Sequence, residues 1–270
     1  MSSSMPGVAM TPPLPPVTNA VPTPFSRTFK VEFRKAWDSR AGFWLLATIV
    51  ALVVLVELIA TIVTGVKDEE MAWGDFAGIA GFVTSVLLPV LGIMLVTSEW
   101  GQRTAMTTFT LEPRRPRVIL AKALVGVALT VITVVAAMIV GLVCNGLYAV
   151  LAGHGDWDPG LGNLAGFTIY QVLSMLGGFA FACLFLNTAA AIVAFFAYTY
   201  VVPTLLAIGS ATMDWFDKLA PWIDFQSAVS HFVDWSFEGD DVAQLIVSGL
   251  IWLGIPLFFG LRRILRAEVK

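Results

Sequence analysis

The sequence predicts an all-α integral membrane protein of six transmembrane helices. An amphipathic N-terminal helix precedes them on the cytoplasmic surface, and short extracellular re-entrant helices come before the last span. Three observations predict this. Of 270 residues, 57% are hydrophobic and only 13% charged, where a soluble domain carries about a quarter charged. The mean hydropathy is +0.82. The few charges are clustered, with none in residues 123–155 or 159–213, and runs of that kind are not solvated surface.

A membrane helix needs roughly 20 mostly apolar residues to cross a hydrocarbon layer about 30 Å thick. Residues 41–66 form a first span, interrupted by Glu57, and residues 76–98 a second. The third, 119–152, exceeds one bilayer and is expected to tilt or project into water. The apolar run from 159 to 213 is too long for one helix and right for two, 161–186 and 189–210, turning at the polar pair Asn187-Thr188. Residues 242–261 supply the sixth. Before them, residues 1–24 hold seven prolines and no basic residue, which predicts a disordered Pro-rich cytoplasmic tail rather than a signal peptide. Residues 25–270 then form a single six-span domain.

Lysine and arginine set the orientation. Fourteen of the sixteen basic residues precede the first span, lie between the second and third, or follow the sixth. Only Lys67 and Lys218 fall on the other side, with most of the acids. Both termini are therefore expected in the cytoplasm. Eight of the nine tryptophans sit near span ends, as an amphipathic ring prefers, and Trp252 alone lies within a span.

Three segments do more than cross. In residues 25–40, Phe25, Phe29, Phe33, Ala36 and Trp37 share one helical face, and Arg27, Lys30, Arg34 and Asp38 the other. This is the pattern of a helix held on a lipid surface by apolar burial and attraction to anionic headgroups. Residues 98–122 form a loop too long for a turn. Gly101 ends the preceding helix, residues 104–111 form a short one, and Pro113 and Pro116 break the chain again. It reads as a docking element for a cytoplasmic partner or as a plain basic loop. Residues 211–241 carry Trp215, Trp222, Phe225 and Phe232 among acidic residues. Drawn as a helix from Pro221, they place Trp222, Phe225 and Phe232 on one apolar face, a pattern that reads as one or two short helices dipping into the outer leaflet. These aromatics read as an extracellular gate or as a lid that covers the bundle without gating.

Glu57 is the one charged side chain inside a span. Ionising it there costs roughly 3 kcal/mol on insertion scales, so it is expected to face the interior or keep its proton. It is the candidate pathway residue, with a hydrogen-bonded structural acid as the alternative. Other chemistries find no support. His154 and His231 lack metal-site spacing, Cys144 and Cys183 lie in apolar runs, and no basic face suggests nucleic acid. No lysine follows a glycine, so there is no phosphate-binding loop. If ATP drives this protein, another chain binds it.

The run Glu99, Gly101, Thr104, Leu111, Pro113, Arg115 and Lys122 resembles the loop of the ATP-binding-cassette type-2 permeases. The N-terminal helix, the six spans and the paired outer helices fit the same family, so the resemblance covers residues 25–270. One departure is Gln102-Arg103, inserted where members usually have adjacent Gly and Thr. The resemblance implies a half-transporter and no enzyme in its own right. It would sit in a bacterial plasma membrane as an exporter subunit, paired with a second permease copy and with separate ATPase subunits that hold ATP and magnesium. It also implies that residues 104–111 are the coupling helix, with Glu99, Arg103, Thr104, Phe109 and Arg115 coupling to the ATPase. Two rivals remain at this level: an ATP-independent channel or ion-coupled carrier built on Glu57, and a membrane assembly or sensor protein that transports nothing.

Overall fold

The computed structural model describes residues 23–67, 72–153, 157 and 161–266. The proline-rich stretch 1–22 therefore lies outside the described residues. Of the described residues, 90% are helical and none is in a strand.

Helix α1 (Phe25–Asp38) follows the extended Pro24, and extended Ser39 separates it from α2 (Arg40–Lys67). Helix α3 (Trp73–Gly101) contains Pro89 and leads into the short α4 (Ala105–Leu111). Arg103, at φ 57°, turns the chain between them. Helix α5 (Arg115–Ala152) opens with Pro116 in its first turn, where a missing N–H costs nothing, and ends at Gly153 with φ 77°. At 38 residues it is about 57 Å long, well beyond one bilayer.

Helix α6 (Leu161–Phe185) turns sharply through Leu186, at φ 52°, and Asn187, whose side chain accepts from the Ala190 N–H at 3.0 Å. The chain then runs through α7 (Thr188–Phe196), a π turn (Ala197–Val201) and α8 (Val202–Thr212) as one long segment. Two short helices follow, α9 (Asp214–Ile223) and α10 (Phe225–Asp234). The last segment joins α11 (Asp241–Gly249) through a second π turn (Leu250–Gly254) to α12 (Ile255–Arg266).

Six of these segments are long and apolar enough to cross a membrane, and they coincide within a few residues with the stretches read from hydropathy. The chain is read as a multi-pass membrane protein on that basis. Within an apolar stretch of 18 residues, 50% of α3 and 56% of α6 is buried, against 22% of α2 and 11% of the last segment. The α3–α6 pair is therefore the axis of the bundle. Small residues let the two backbones meet. A Cβ on Gly178 of α6 would lie 2.3 Å from the Pro89 carbonyl oxygen, and one on Gly92 of α3 would lie 2.5 Å from that of Met175. Around this axis α2 packs on α5 and α12 on α6. Their outward faces expose Leu55, Ile59, Val143 and Phe258, as lipid-facing surface must.

Two span prolines, Pro203 and Pro256, each follow a π turn. Val202 N–H, just before Pro203, reaches Ala197 O, and Ile255 N–H, before Pro256, reaches Leu250 O. The wider turn absorbs the register lost to a residue with no N–H. Tyr198 and Trp252, one from each π turn, pack with ring centroids 4.4 Å apart. The Trp252 indole N–H donates to Ile223 O at 2.8 Å, which explains how a tryptophan is tolerated within a span.

Residues 211–241 hold two short helices, and what is corrected is the helix drawn from Pro221 through Phe232. Asp224 breaks it, because its carboxylate accepts from the N–H groups of Gln226 and Ser227 at 3.1 and 3.2 Å and caps α10. Pro221 and Trp222 thus belong to the end of α9, and Phe225 starts a new helix.

Candidate functional site

At the lysine- and arginine-rich end, α1, α3 and α5 bring four charges into a closed ring. Glu32 and Lys35 lie on α1 with i,i+3 spacing, Glu99 comes from the last turn of α3, and Lys122 from the third turn of α5. Lys122 Nζ lies 2.6 Å from Glu32 Oε2 and 3.1 Å from Glu99 Oε1. Lys35 Nζ lies 2.7 Å from Glu32 Oε1 and 2.9 Å from Glu99 Oε1. Each charge therefore meets two of opposite sign. Glu32 and Lys122 are each only 4% exposed and Glu99 9%, a depth at which unpaired ions would cost several kcal/mol apiece. Burial alone would lower the Lys35 ammonium, but its hydrogen bonds to Glu32 and Glu99 outweigh that and hold it above the ordinary lysine value.

Helix α4 is tied to this ring. Lys35 Nζ also donates to Thr108 Oγ1, and that hydroxyl donates to Glu99 Oε1, both at 3.3 Å. Phe109 is buried against Trp100, ring centroids 6.4 Å apart, and the Arg115 guanidinium sits 5.0 Å from the Phe109 centroid. Arg115 then donates to Ile264 O at 2.7 Å, joining α4 and α5 to the last turn of α12. The outward side of α4 exposes Met106, Thr107, Thr110 and Leu111, with Leu111 80% exposed.

The residues read from the loop thus divide. Glu99, Phe109 and Arg115 point inward and hold the short helix in place. Arg103 and Thr104 are exposed at its start, where Thr104 N–H donates to Glu99 O at 2.9 Å. A cleft of about 980 Å³ opens beside them, between α1, α4 and the adjoining ends of α2, α3 and α5. Leu45, Leu91 and Leu95 line its apolar wall, and Glu32, Lys35 and Lys122 its polar one.

Glu57 does not line this cleft. It is fully buried in α2, turned toward Gly141 of α5. The four aromatics of residues 211–241 do not converge either. Trp215 is 64% exposed and touches Phe216 edge-on. Phe225 is buried against Gly249 of α11. Phe232 packs on Trp235 and Phe237. No ring contact among the described residues joins any two of the four. No cluster of metal-ligating side chains occurs among the described residues.

Sequence reading missed Glu32, Lys35 and Thr108 as members of this site. One signal was present: Glu99 and Lys122 border spans that meet at the same end, so two opposite charges were already neighbours in topology. Periodicity also sets Glu32 beside Phe25, Phe29 and Ala36 on the apolar side of α1, but it does not show which charges Glu32 meets there. Compared with known proteins, the chain matches no family model and no curated protein.

Proposed function

We propose that the chain is the membrane-spanning permease subunit of an ATP-binding-cassette exporter. It works as a dimer with a second permease copy, in a bacterial plasma membrane with both termini in the cytoplasm. Separate ATPase subunits bind ATP and magnesium and drive it. The observation that carries this reading is α4. A seven-residue helix outside the spans is clamped from within by Phe109, Arg115 and the charge ring, yet it leaves Met106 and Leu111 exposed. An anchored helix with outward apolar side chains is suited to seating in a groove of another protein.

In this reading α1 lies along the inner surface of the membrane, and its ring contacts make it move with α4. Closure of the ATPases presses on α4, and α3 and α5, which flank it, carry the displacement into the bundle. The cleft beside α4, apolar on one wall and charged on the other, favours an amphiphilic cargo taken from the inner leaflet. The helices α9 and α10 dip into the outer leaflet over the exit.

The test is purification of the tagged chain in mild detergent with a photo-crosslinking residue at Leu111, followed by mass spectrometry. A near-stoichiometric ATPase crosslinked through α4 is the expected result. Absence of any ATPase, with and without crosslinking, would remove the central claim.

A further inference from the structure

The outer half of the bundle, at the acidic end, contains a small, mostly apolar cavity away from α4. It measures about 20 Å³ and is closed by Glu57 of α2, Trp73 and Phe76 of α3, Gly141 of α5 and Phe167 of α6. Three buried polar atoms without hydrogen-bond partners belong to its lining: both carboxyl oxygens of Glu57 and the indole nitrogen of Trp73. The Cys144 thiol of α5, a weak donor, is beside the carboxyl, and no nitrogen or oxygen donor among the described residues reaches it. Buried polar groups left in this condition usually hold a water that the protein atoms alone do not reveal.

The space and the chemistry both fit one water. A water needs roughly 10–15 Å³ of such volume and two to four polar partners; the cavity measures about 20 Å³, and two of its lining side chains carry three unpartnered polar atoms. Gly141 keeps the space open. A Cβ there would stand 3.7 and 3.8 Å from the two Glu57 oxygens and 3.4 Å from Phe76 Cβ, ordinary contacts that fill the gap without a clash.

The same lining sets the charge of Glu57. No lysine, arginine or histidine lines the cavity. The titratable side chains packed nearby are Cys144 and Tyr148 of α5; α3 and α6 contribute none to the lining, and α2 adds the Thr61 hydroxyl. Thr61 Oγ1 donates to the backbone oxygen of Glu57 at 2.8 Å. An ionised carboxylate here would have no counter-ion in a low-dielectric interior.

We infer that this cavity is a binding site for a single water, held between the Glu57 carboxyl and the Trp73 indole N–H, with Glu57 carrying its proton. The acid donates or accepts one bond with the water, and the indole donates another to it. The site is a buried proton-and-water site linking α2, α3 and α5, and it stands independently of any ATPase partner.

Infrared difference spectroscopy of the purified chain in lipid nanodiscs at neutral pH tests this directly. The expected result is a protonated-carboxylic-acid carbonyl band that disappears in Glu57→Gln. The band moves in Gly141→Ala, which displaces the water and keeps the acid, and in Trp73→Phe, which removes the second partner. Should Glu57→Gln not fold, ¹³C-glutamate labelling of the unsubstituted chain assigns the band by its isotope shift. Absence of any glutamic-acid band at neutral pH would overturn the protonated state. A Glu57 band unmoved by both Gly141→Ala and Trp73→Phe would overturn the water site.

Discussion

Glu32 and Glu57 are both buried acids, at opposite ends of the same bundle, and they are accommodated in contrasting ways. Glu32 is embedded between two lysines, which Glu99 also shares, so the ring carries no net charge and every carboxylate in it meets ammonium groups at 2.6–3.1 Å. Glu57 has no cation in reach and lines a small cavity with an unpartnered indole. The difference teaches how the chain distributes its few charges. Where several elements converge at the end rich in lysine and arginine, counter-ions are at hand and the acids stay paired. Farther into the apolar part, a lone acid is kept by neutralisation and a water.

The largest effect should come from opening the ring. Lys122→Ala strips Glu32 and Glu99 of their buried counter-ion and leaves both to the half-exposed Lys35. A loss of roughly 3–5 kcal/mol is expected, read as a steep fall in melting temperature in detergent or failure to accumulate folded protein. Next comes the double substitution Glu32→Met with Lys122→Met, which removes a buried pair together. It should recover most of the stability lost in Lys122→Ala, because apolar side chains of similar volume replace a buried pair at little cost. A double variant as unstable as Lys122→Ala would show that the ring does more than neutralise itself.

At the other site, Glu57→Gln should change stability by no more than about 1 kcal/mol, since a neutral amide replaces a neutral acid of nearly the same shape. A loss as large as that of Lys122→Ala would mean that Glu57 is ionised and paired, and would erase the contrast. The smallest effect concerns pH. Lys35 binds its proton more tightly in the folded chain than in the unfolded one, so its contribution is complete below the ordinary lysine value of 10.5. It is lost only as pH rises beyond that through the raised folded value. Melting temperature should therefore show no ring-dependent decline between neutral pH and about 10, and Lys35→Met should abolish any decline seen above it.

The spans were legible because the bilayer constraint acts on composition over about 20 residues at a time, and each long apolar run leaves few alternatives. The α6–α7 turn was legible too: Asn187 is a good helix cap in an otherwise apolar stretch. The break at Asp224 was written in the same language and overlooked, because the apolar spacing of Trp222, Phe225 and Phe232 continues across it. The candidate site was legible by halves. The loop displayed Glu99, Phe109 and Arg115, but that they brace α4 while Arg103 and Thr104 stay exposed depends on where Trp100 and the end of α12 arrive.

By itself, the sequence determined how many segments are apolar enough to cross a membrane, which stretches stand outside them, and that lysine and arginine gather toward one end. These are local or compositional properties, and each follows from the cost of placing charge and free backbone groups in hydrocarbon. Tertiary structure alone decided that Glu32, Lys35, Glu99 and Lys122 close a ring, that Tyr198 and Trp252 meet across two π turns, and that Glu57 and Trp73 line the same cavity with Gly141. Those outcomes depend on the rotation and depth of helices packed against one another. Small side chains such as Gly92, Gly141 and Gly178 set how closely the helices approach, and no single helix records the position of its neighbour.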